Sequence, residues 1–445
     1  MNEAEGLSVS RMRGELSDSP QLAWAFVYFF CLLCGYYVLR PVREAMGASA
    51  DVTEVFPQGM IRFFADRGVA LQDLTLQVLF TLTFVVMLIL QPAYGMLVAR
   101  QPRRVFLPVV YGFFIATLVL FYLAFDSGMP GRGMAFFIWI TVFNLFAVAV
   151  FWSFMADVFE NVQAKRYYGY IGAAGTVGAM VGPTLTRMLA ERIGIANLML
   201  VSCGFLLVCL FCIVRLRPYA VARERRYKLT SGEKPMGGGV LAGLTLIARE
   251  PLLRWLALLM LFGVGVGTLL YNEQAALVRR FYPDAKQATA FFATVDLAVN
   301  VLALVVQVLV TRSVLARWGI GPALLIPAIA IIIGFSILAA SPLPLLVACV
   351  QVMTRASEFS LAKPARESIY TRVGREWRYK AGAAIDTVVY RGGDLTFVWL
   401  HKLLAAFGSR AIFMFGVVVA ATMAASAWQV LRQVARLPPA DQSGE

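Results

Sequence analysis

The chain alternates long apolar runs with short polar ones. A helix needs about 20 mostly apolar residues to cross a bilayer. Twelve stretches meet that length: roughly 20–46, 74–99, 105–125, 134–156, 168–189, 196–214, 252–278, 288–310, 320–340, 343–362, 379–402 and 410–431. Ser19 before Pro20 predicts where the first begins, as N-cap and first helical residue. Connections such as "SPLP" at 341–344 are so short that neighbouring helices must run antiparallel. The expected fold class is therefore all-α integral membrane, with 12 transmembrane helices.

The longest polar interruption, 215–251, is basic and carries "GEKPMGGG". It predicts a flexible cytoplasmic linker between a six-helix bundle over 1–214 and a second over 252–445. The halves echo each other. "GMLVARQPRR" (95–104) follows the second span, and "SVLARWGIG" (313–321) follows the eighth. "AKRYYGYIGAAG" (164–175) leads into the fifth, and "RYKAGAAID" (378–386) leads into the eleventh. A repeat of six spans is the pattern of carriers built from two similar bundles.

Composition agrees. The chain is 60% hydrophobic, against about 45–50% for soluble domains, and its mean hydropathy is +0.72. The net charge of +14 does not point to nucleic acid, because the basic residues lie between apolar runs, where they set topology and meet anionic lipid heads. Of the 40 Lys and Arg, 25 fall in the segments that face one side and 12 in those facing the other; Arg254, Arg355 and Arg391 lie in or beside spans. That bias predicts a cell (inner) membrane protein with both termini cytoplasmic. The first 19 residues are polar, so no cleavable signal is expected.

Little here suggests an enzyme. All six cysteines sit in apolar runs, so no disulfide framework is implied. Cys31 and Cys34 share a helix face, but no histidine lies near them. His401 is the only histidine, which argues against His-based zinc sites and Ser-His hydrolases. The phosphate-cradling G-x-x-x-x-G-K-[ST] pattern is absent, which argues against an ATP-driven pump. No cofactor and no metal are expected.

Charges inside the spans are the candidate chemistry, since each costs about 2.5–3.5 kcal/mol at a helix centre. In the eleventh span, Arg391 and Asp394 are three apart, and Asp386, Tyr390 and Asp394 follow at four-residue intervals. They form either a cavity face or a structural pair, with Gly392 and Gly393 leaving room for a neighbour or ligand. In the eighth, Asp296 and Asn300 are four apart; Asp296 is a candidate coupling site or a partner for Arg391. In the seventh, "LLYNEQ" brings Glu273 among polar neighbours, as a coupling group or a solvated carboxylate. Asp386 is a third coupling candidate, with protons as the coupling ion. Glycines 169, 172, 175, 178 and 182 keep one side of the fifth span smooth, for tight helix packing. The first span ends in "YYVLRPVREAMG" (36–47). There Arg40, Arg43 and Glu44 share a face, and Pro41 removes a backbone donor. The two guanidiniums either anchor the helix at the membrane interface or turn inward, where they would hold phosphate or carboxylate in two-pronged fashion.

Two motifs resemble the major facilitator superfamily. Gly95, Leu97, Arg100, Arg103 and Arg104 match its G-x-L-a-D-R-x-G-R-R signature, with Ala99 in place of the Asp and Pro102 in place of the Gly; Gly178, Gly182 and Pro183 match its fifth-helix G-x-x-x-G-P. The resemblance implies the major facilitator fold of two six-helix bundles around a central site. Tyr36, Leu39, Arg40, Arg43, Glu44 and Ala45 resemble the first helix of the ATP:ADP antiporter (nucleotide transport) family, Y-x-x-L-R-x-x-K-D-A-L. "AKRYYGYIGAAG", "KPARESIY" (363–370) and "YRGGD" (390–394) are similar to its free-living bacterial branch, from about Phe29 to Leu404. That resemblance implies secondary transport by alternating access and an organic anion as substrate, with ADP–ATP-type exchange first. Tyr36, Arg40, Arg43, Glu44, Tyr390, Arg391 and Asp394 are the binding candidates. The alternatives are a proton-coupled exporter of drugs or metabolites, and a non-transporting membrane scaffold.

The charge bias makes a direct prediction. A cysteine placed at Ser231, in the 215–251 segment, should resist a membrane-impermeant thiol reagent applied to intact cells. Ready labelling would reverse the orientation.

Overall fold

A computed structural model describes residues 19–100, 103–159, 161–227, 240–341, 343–370 and 381–436. Every regular element among them is helical. The first six spans are helices over Pro20–Gly47, Thr75–Arg100, Arg103–Asp126, Arg132–Val158, Asn161–Ile193 and Ile195–Tyr227. The seventh, ninth and twelfth are Pro251–Phe281, Ile320–Ala340 and Ser409–Val434. Ten helical stretches among the described residues are long and apolar enough to cross a membrane. Helices also occupy the places of the fifth and eleventh predicted spans. Their glycines and charges lower their apolarity below that of the others.

Three spans are not uniform. The eighth passes from Ala285–Val306 through a π-helical turn, Gln307–Thr311, into Arg312–Arg317. The tenth does the same over Pro344–Ser357, Glu358–Ala362 and Lys363–Tyr370, and the eleventh over Gly382–Ala384, Ile385–Val389 and Tyr390–Ala405. Such turns recur at functional sites. Two of them touch: the Thr311 hydroxyl donates to the Ser360 carbonyl at 2.8 Å.

Two expectations of local structure need correction. Ser19 sits at the N-cap position, but its hydroxyl makes no cap bond; it pairs with the Tyr167 hydroxyl at 3.1 Å. Pro20 already supplies the first-turn geometry, so the serine side chain is available to a neighbouring helix. The expected linker is helical at both ends, because the sixth helix runs on to Tyr227 and a further helix spans Val240–Arg249. Residues 228–239, with "GEKPMGGG", lie outside the described residues.

The contacts group the chain into two compact units. The first is Met1–Leu71, Val86–Pro235 and Tyr282–Leu297; the second is Gln72–Val85, Met236–Phe281 and Ala298–Glu445. The first unit has an aromatic core in which the Tyr28 hydroxyl bonds that of Tyr111 at 2.7 Å and Phe29 stacks on Phe151. The second packs Phe335 against Phe413 over a layer of leucine, valine and alanine. Many aliphatic side chains, such as Ile89, Val109, Leu120, Val308 and Leu345, are exposed. On a soluble protein that much apolar surface would be a liability; on a spanning helix it meets lipid.

In the first unit, the fifth span approaches the first more closely than side chains allow. A Cβ at Gly178 would strike the Phe30 carbonyl oxygen, one at Gly175 the Phe29 ring, and one at Gly182 would lie 2.7 Å from Tyr37 Cβ. Gly169 and Gly172 meet nothing, so only three of the five glycines are used in this contact. The Thr186 hydroxyl, donating to the Val38 carbonyl at 2.8 Å, and Ser202, donating to the Gly35 carbonyl at 3.1 Å, fix the first span further. Pro183 is buried in the same helix.

After the first span, Asp51 caps the short helix Val52–Val55. It accepts from the Thr53 amide at 2.8 Å and hydroxyl at 2.6 Å, and the Thr53 hydroxyl holds its carboxyl below the usual range. Glu54 pairs with Arg132 at the start of the fourth helix.

The glycine contact sets a paired test. Gly178→Ala should destabilise the purified protein by about 1–3 kcal/mol, the cost of forcing atoms into a packed site. Gly172→Ala, facing open space, should be neutral or slightly stabilising. Thermal unfolding in detergent compares them; equal shifts would remove the packing argument.

Candidate functional site

The charges of the first unit gather around Arg40. Helix geometry puts Glu44 one turn beyond it, and Arg40 Nε lies 3.6 Å from Glu44 Oε1. The eighth span brings Asp296, whose Oδ2 is 3.7 Å from the same Nε. Arg43 Nη1 donates to Glu44 Oε1 at 3.2 Å, and its guanidinium lies over the Phe137 ring, 4.2 Å from the centroid. The Arg40 and Arg43 side chains are only 16% and 15% exposed, so their heads are withdrawn from the surface. Tyr36 and Tyr37 stand beside them, ring centroids 5.1 Å apart.

The geometry around Arg40 is loose. Its two carboxylates lie beyond normal hydrogen-bond distance of its Nε. Arg40 Nε and Glu44 Oε2 are both buried without a hydrogen-bond partner. A guanidinium carries five N–H donors, and buried donors left unmatched cost about 1–3 kcal/mol each. Asp296, considered in the sequence as a partner for Arg391, stands by Arg40 instead.

The second unit holds Arg391 and Asp394. Arg391 Nη1 lies 3.3 Å from Asp394 Oδ2, and the Thr268 hydroxyl of the seventh span donates to Asp394 Oδ1 at 2.9 Å. Gly393 makes this approach possible: a Cβ there would already lie 3.2–3.3 Å from Leu261 and Val264, whereas Gly392 faces open space. Tyr390 is exposed, with Arg391 above its ring. The expected stripe of Asp386, Tyr390 and Asp394 is interrupted. Asp386 is exposed in the π turn Ile385–Val389, and the wider turn shifts it off a strict four-residue spacing. In "KPARESIY", Arg366 is buried against Glu358, at 3.4 Å, and the Met260 sulfur, at 3.0 Å.

Glu273 is not solvated. It is bonded to His401, Oε1 to Nε2, at 2.8 Å. From the sequence, His401 served only to argue against zinc sites and Ser-His hydrolases. The available signal was its place seven residues after Asp394, two turns along the same face. A second C-x-x-C, Cys209 and Cys212, in the sixth span was overlooked as well; among the described residues no cluster suited to a metal occurs. Gly95, Arg100, Arg103 and Arg104 fall where side chains lie outside the described residues.

Helices long and apolar enough to cross a membrane thus carry partly buried arginines. Residues 25–393 match the Major Facilitator Superfamily, and the chain belongs to that family. It is similar to ADP,ATP carrier protein 1 of Chlamydia muridarum (strain MoPn / Nigg), 22% identical over 83% of this chain and 78% of that one. The carrier of the same name from Chlamydia trachomatis serovar D is also 22% identical, over 87% and 83%. Among solved structures, the nucleoside transporter NupG superposes with a TM-score of 0.63 at 10% identity, covering 92% of this chain and 99% of that one. A D-xylose–proton symporter gives 0.61 at 12%, covering 90% and 96%.

The clamp on Asp394 yields a prediction. Thr268→Val removes a bond to a charged acceptor and should cost about 1.5–3 kcal/mol. Arg391→Ala leaves Thr268 in place and should preserve insertion and folding while abolishing transport. Unfolding curves and uptake in proteoliposomes separate the two; collapse of the fold in Arg391→Ala would make the pair purely structural.

Proposed function

We propose that this chain is a secondary active transporter of an organic anion, with adenine nucleotide exchange the first candidate, working by alternating access. Its six-span halves, 1–214 and 252–445, would be joined by the cytoplasmic segment 215–251, in the inner membrane with both termini inside. The observation that carries this reading is the half-buried Arg40 guanidinium, whose Nε is buried with no hydrogen-bond partner among the described residues. Phosphate and carboxylate match a guanidinium in two-pronged fashion. Arg43, Glu44 and Tyr36 would complete the binding face. Tyr390, Arg391 and Asp394 are the binding candidates of the second unit. The similarity to ADP,ATP carriers makes a nucleotide the first anion to test.

A second reading has its own support. Arg40 and Arg43 are offset by Glu44 and Asp296, so the cluster has no formal net charge. An anion entering it adds an uncompensated negative charge unless a carboxylate takes a proton. That favours coupling to protons through Asp296, as in a proton-coupled exporter; Asp386 and Glu273 are the other coupling candidates.

Uptake into proteoliposomes, empty or preloaded with ATP, tests the proposal with labelled ADP, ATP and a panel of organic anions. Uptake only into preloaded vesicles supports exchange. No uptake of any anion favours a non-transporting membrane scaffold.

A Lys point charge cannot reproduce the guanidinium fork. Arg40→Lys should therefore weaken binding of the transported anion by about 1.5–3 kcal/mol. Arg43→Lys keeps a donor for Glu44 and should cost far less. Equal, small losses in binding to purified protein would place the anion elsewhere.

A further inference from the structure

Between the first and second spans lies a short helix, Gln58–Ala65, with Pro57 at its N-cap. Its height is set by the fourth span, which starts at Arg132. The Gly131 amide donates to the Thr53 carbonyl at 3.1 Å, and Glu54 pairs with Arg132. A Cβ at Gly131 would lie 2.8 Å from the Pro57 nitrogen, so the short helix begins hard against the start of the fourth span. The first and fourth spans are both long and apolar enough to cross a membrane. The short helix therefore stands at the level where spanning helices leave the bilayer.

Its two sides differ. At the helical period, Met60, Ile61, Phe63 and Phe64 fall on one side, and Gln58, Arg62 and Asp66 on the other. No residue of this helix is fully buried, so the bundle does not supply a core for its apolar side. Phe63 is 51% exposed. Arg67 lies over the Phe63 ring, with its guanidinium carbon 3.6 Å from the centroid, and its Nη1 donates to the Phe63 carbonyl at 2.7 Å. Arg62 and Arg67 are themselves exposed.

We propose that helix Gln58–Ala65 docks on the bilayer surface, with Met60 and Phe63 among the acyl chains and Arg62 and Arg67 on phospholipid phosphates. Three observations choose lipid as the occupant. The helix adjoins the ends of two spans, so its apolar side continues the surface that meets acyl chains. An apolar side opposite a polar one is the pattern of helices that lie in the interface plane, about 5–10 Å into the boundary of headgroups and chains. The Arg67 stem lies along an exposed aromatic ring while its charged end remains accessible, the posture of a cation at such a boundary, and a guanidinium matches phosphate oxygens. The end of the first span, which carries Arg40 and Glu44, is thereby tied to the membrane surface as well as to the fifth span. This docking involves no substrate.

Five of the six cysteines are buried and Cys349 is exposed. The test uses the full chain with Cys349→Ser and one new cysteine, at each position from Gln58 to Ala65 in turn, in phosphatidylglycerol-containing bilayers. A nitroxide on each cysteine reports collisions with oxygen, which concentrates among acyl chains, and with a water-soluble nickel chelate. The oxygen-to-nickel ratio should follow the helical period, about fivefold higher at Met60 and Phe63 than at Gln58 and Arg62, as expected of a helix lying in the interface. A flat ratio, or one lowest at Phe63, overturns the docking. So does strong spin–spin broadening at Phe63, which would put a second copy of the chain on this face. Arg62→Glu with Arg67→Glu places two negative charges against the phosphates and should lower the ratio at the Met60→Cys label. A ratio that does not fall overturns the phosphate contact.

Discussion

Arg40 cannot shed its charge inside a bilayer-length helix, because a guanidinium stays protonated at any physiological pH. The chain must therefore surround it with compensation. Glu44 comes from the next turn of the same helix and Asp296 from the eighth span. The glycines of the fifth span let the first helix pack backbone to backbone, which fixes where Arg40 stands. Yet the compensation is incomplete: charge is balanced while hydrogen bonds are not. Breaking a buried ion pair typically costs about 3–5 kcal/mol, so this arrangement is held by charge.

The two units solve the same problem differently. In the first, two arginines and two carboxylates share one loose cluster. In the second, the charges are sorted into discrete pairs: Arg391 with Asp394, Glu273 with His401, Arg366 with Glu358.

Much of this was legible in the sequence, because apolar run length and glycine spacing are local signals. The helices fall where hydropathy placed them, and the fifth-span glycines pack tightly as their spacing implied, though only Gly175, Gly178 and Gly182 do so. Arg391 with Asp394 was legible for the same reason, being one turn apart. Asp296 beside Arg40, more than 250 residues distant, has no local signature, and neither has Glu273 beside His401. The π turn at Ile385–Val389 was invisible as well, since nothing in "IDTVV" distinguishes a wider turn from an α-helical one. The sequence alone counted two arginines and one glutamate at the end of the first span, a surplus of one positive charge. The fold adds Asp296 and removes that surplus; on the reading proposed above, an entering anion would displace a resident carboxylate.

Equilibrium binding of labelled ADP and ATP to purified Asp296→Asn, measured against wild type, tests that claim most directly. Removing the resident carboxylate leaves Arg40 uncompensated and ready for an outside anion. Binding should tighten by about tenfold, or roughly 1.4 kcal/mol. Unchanged or weaker binding in a folded Asp296→Asn protein would contradict the account, because Asp296 would then not be what the anion replaces.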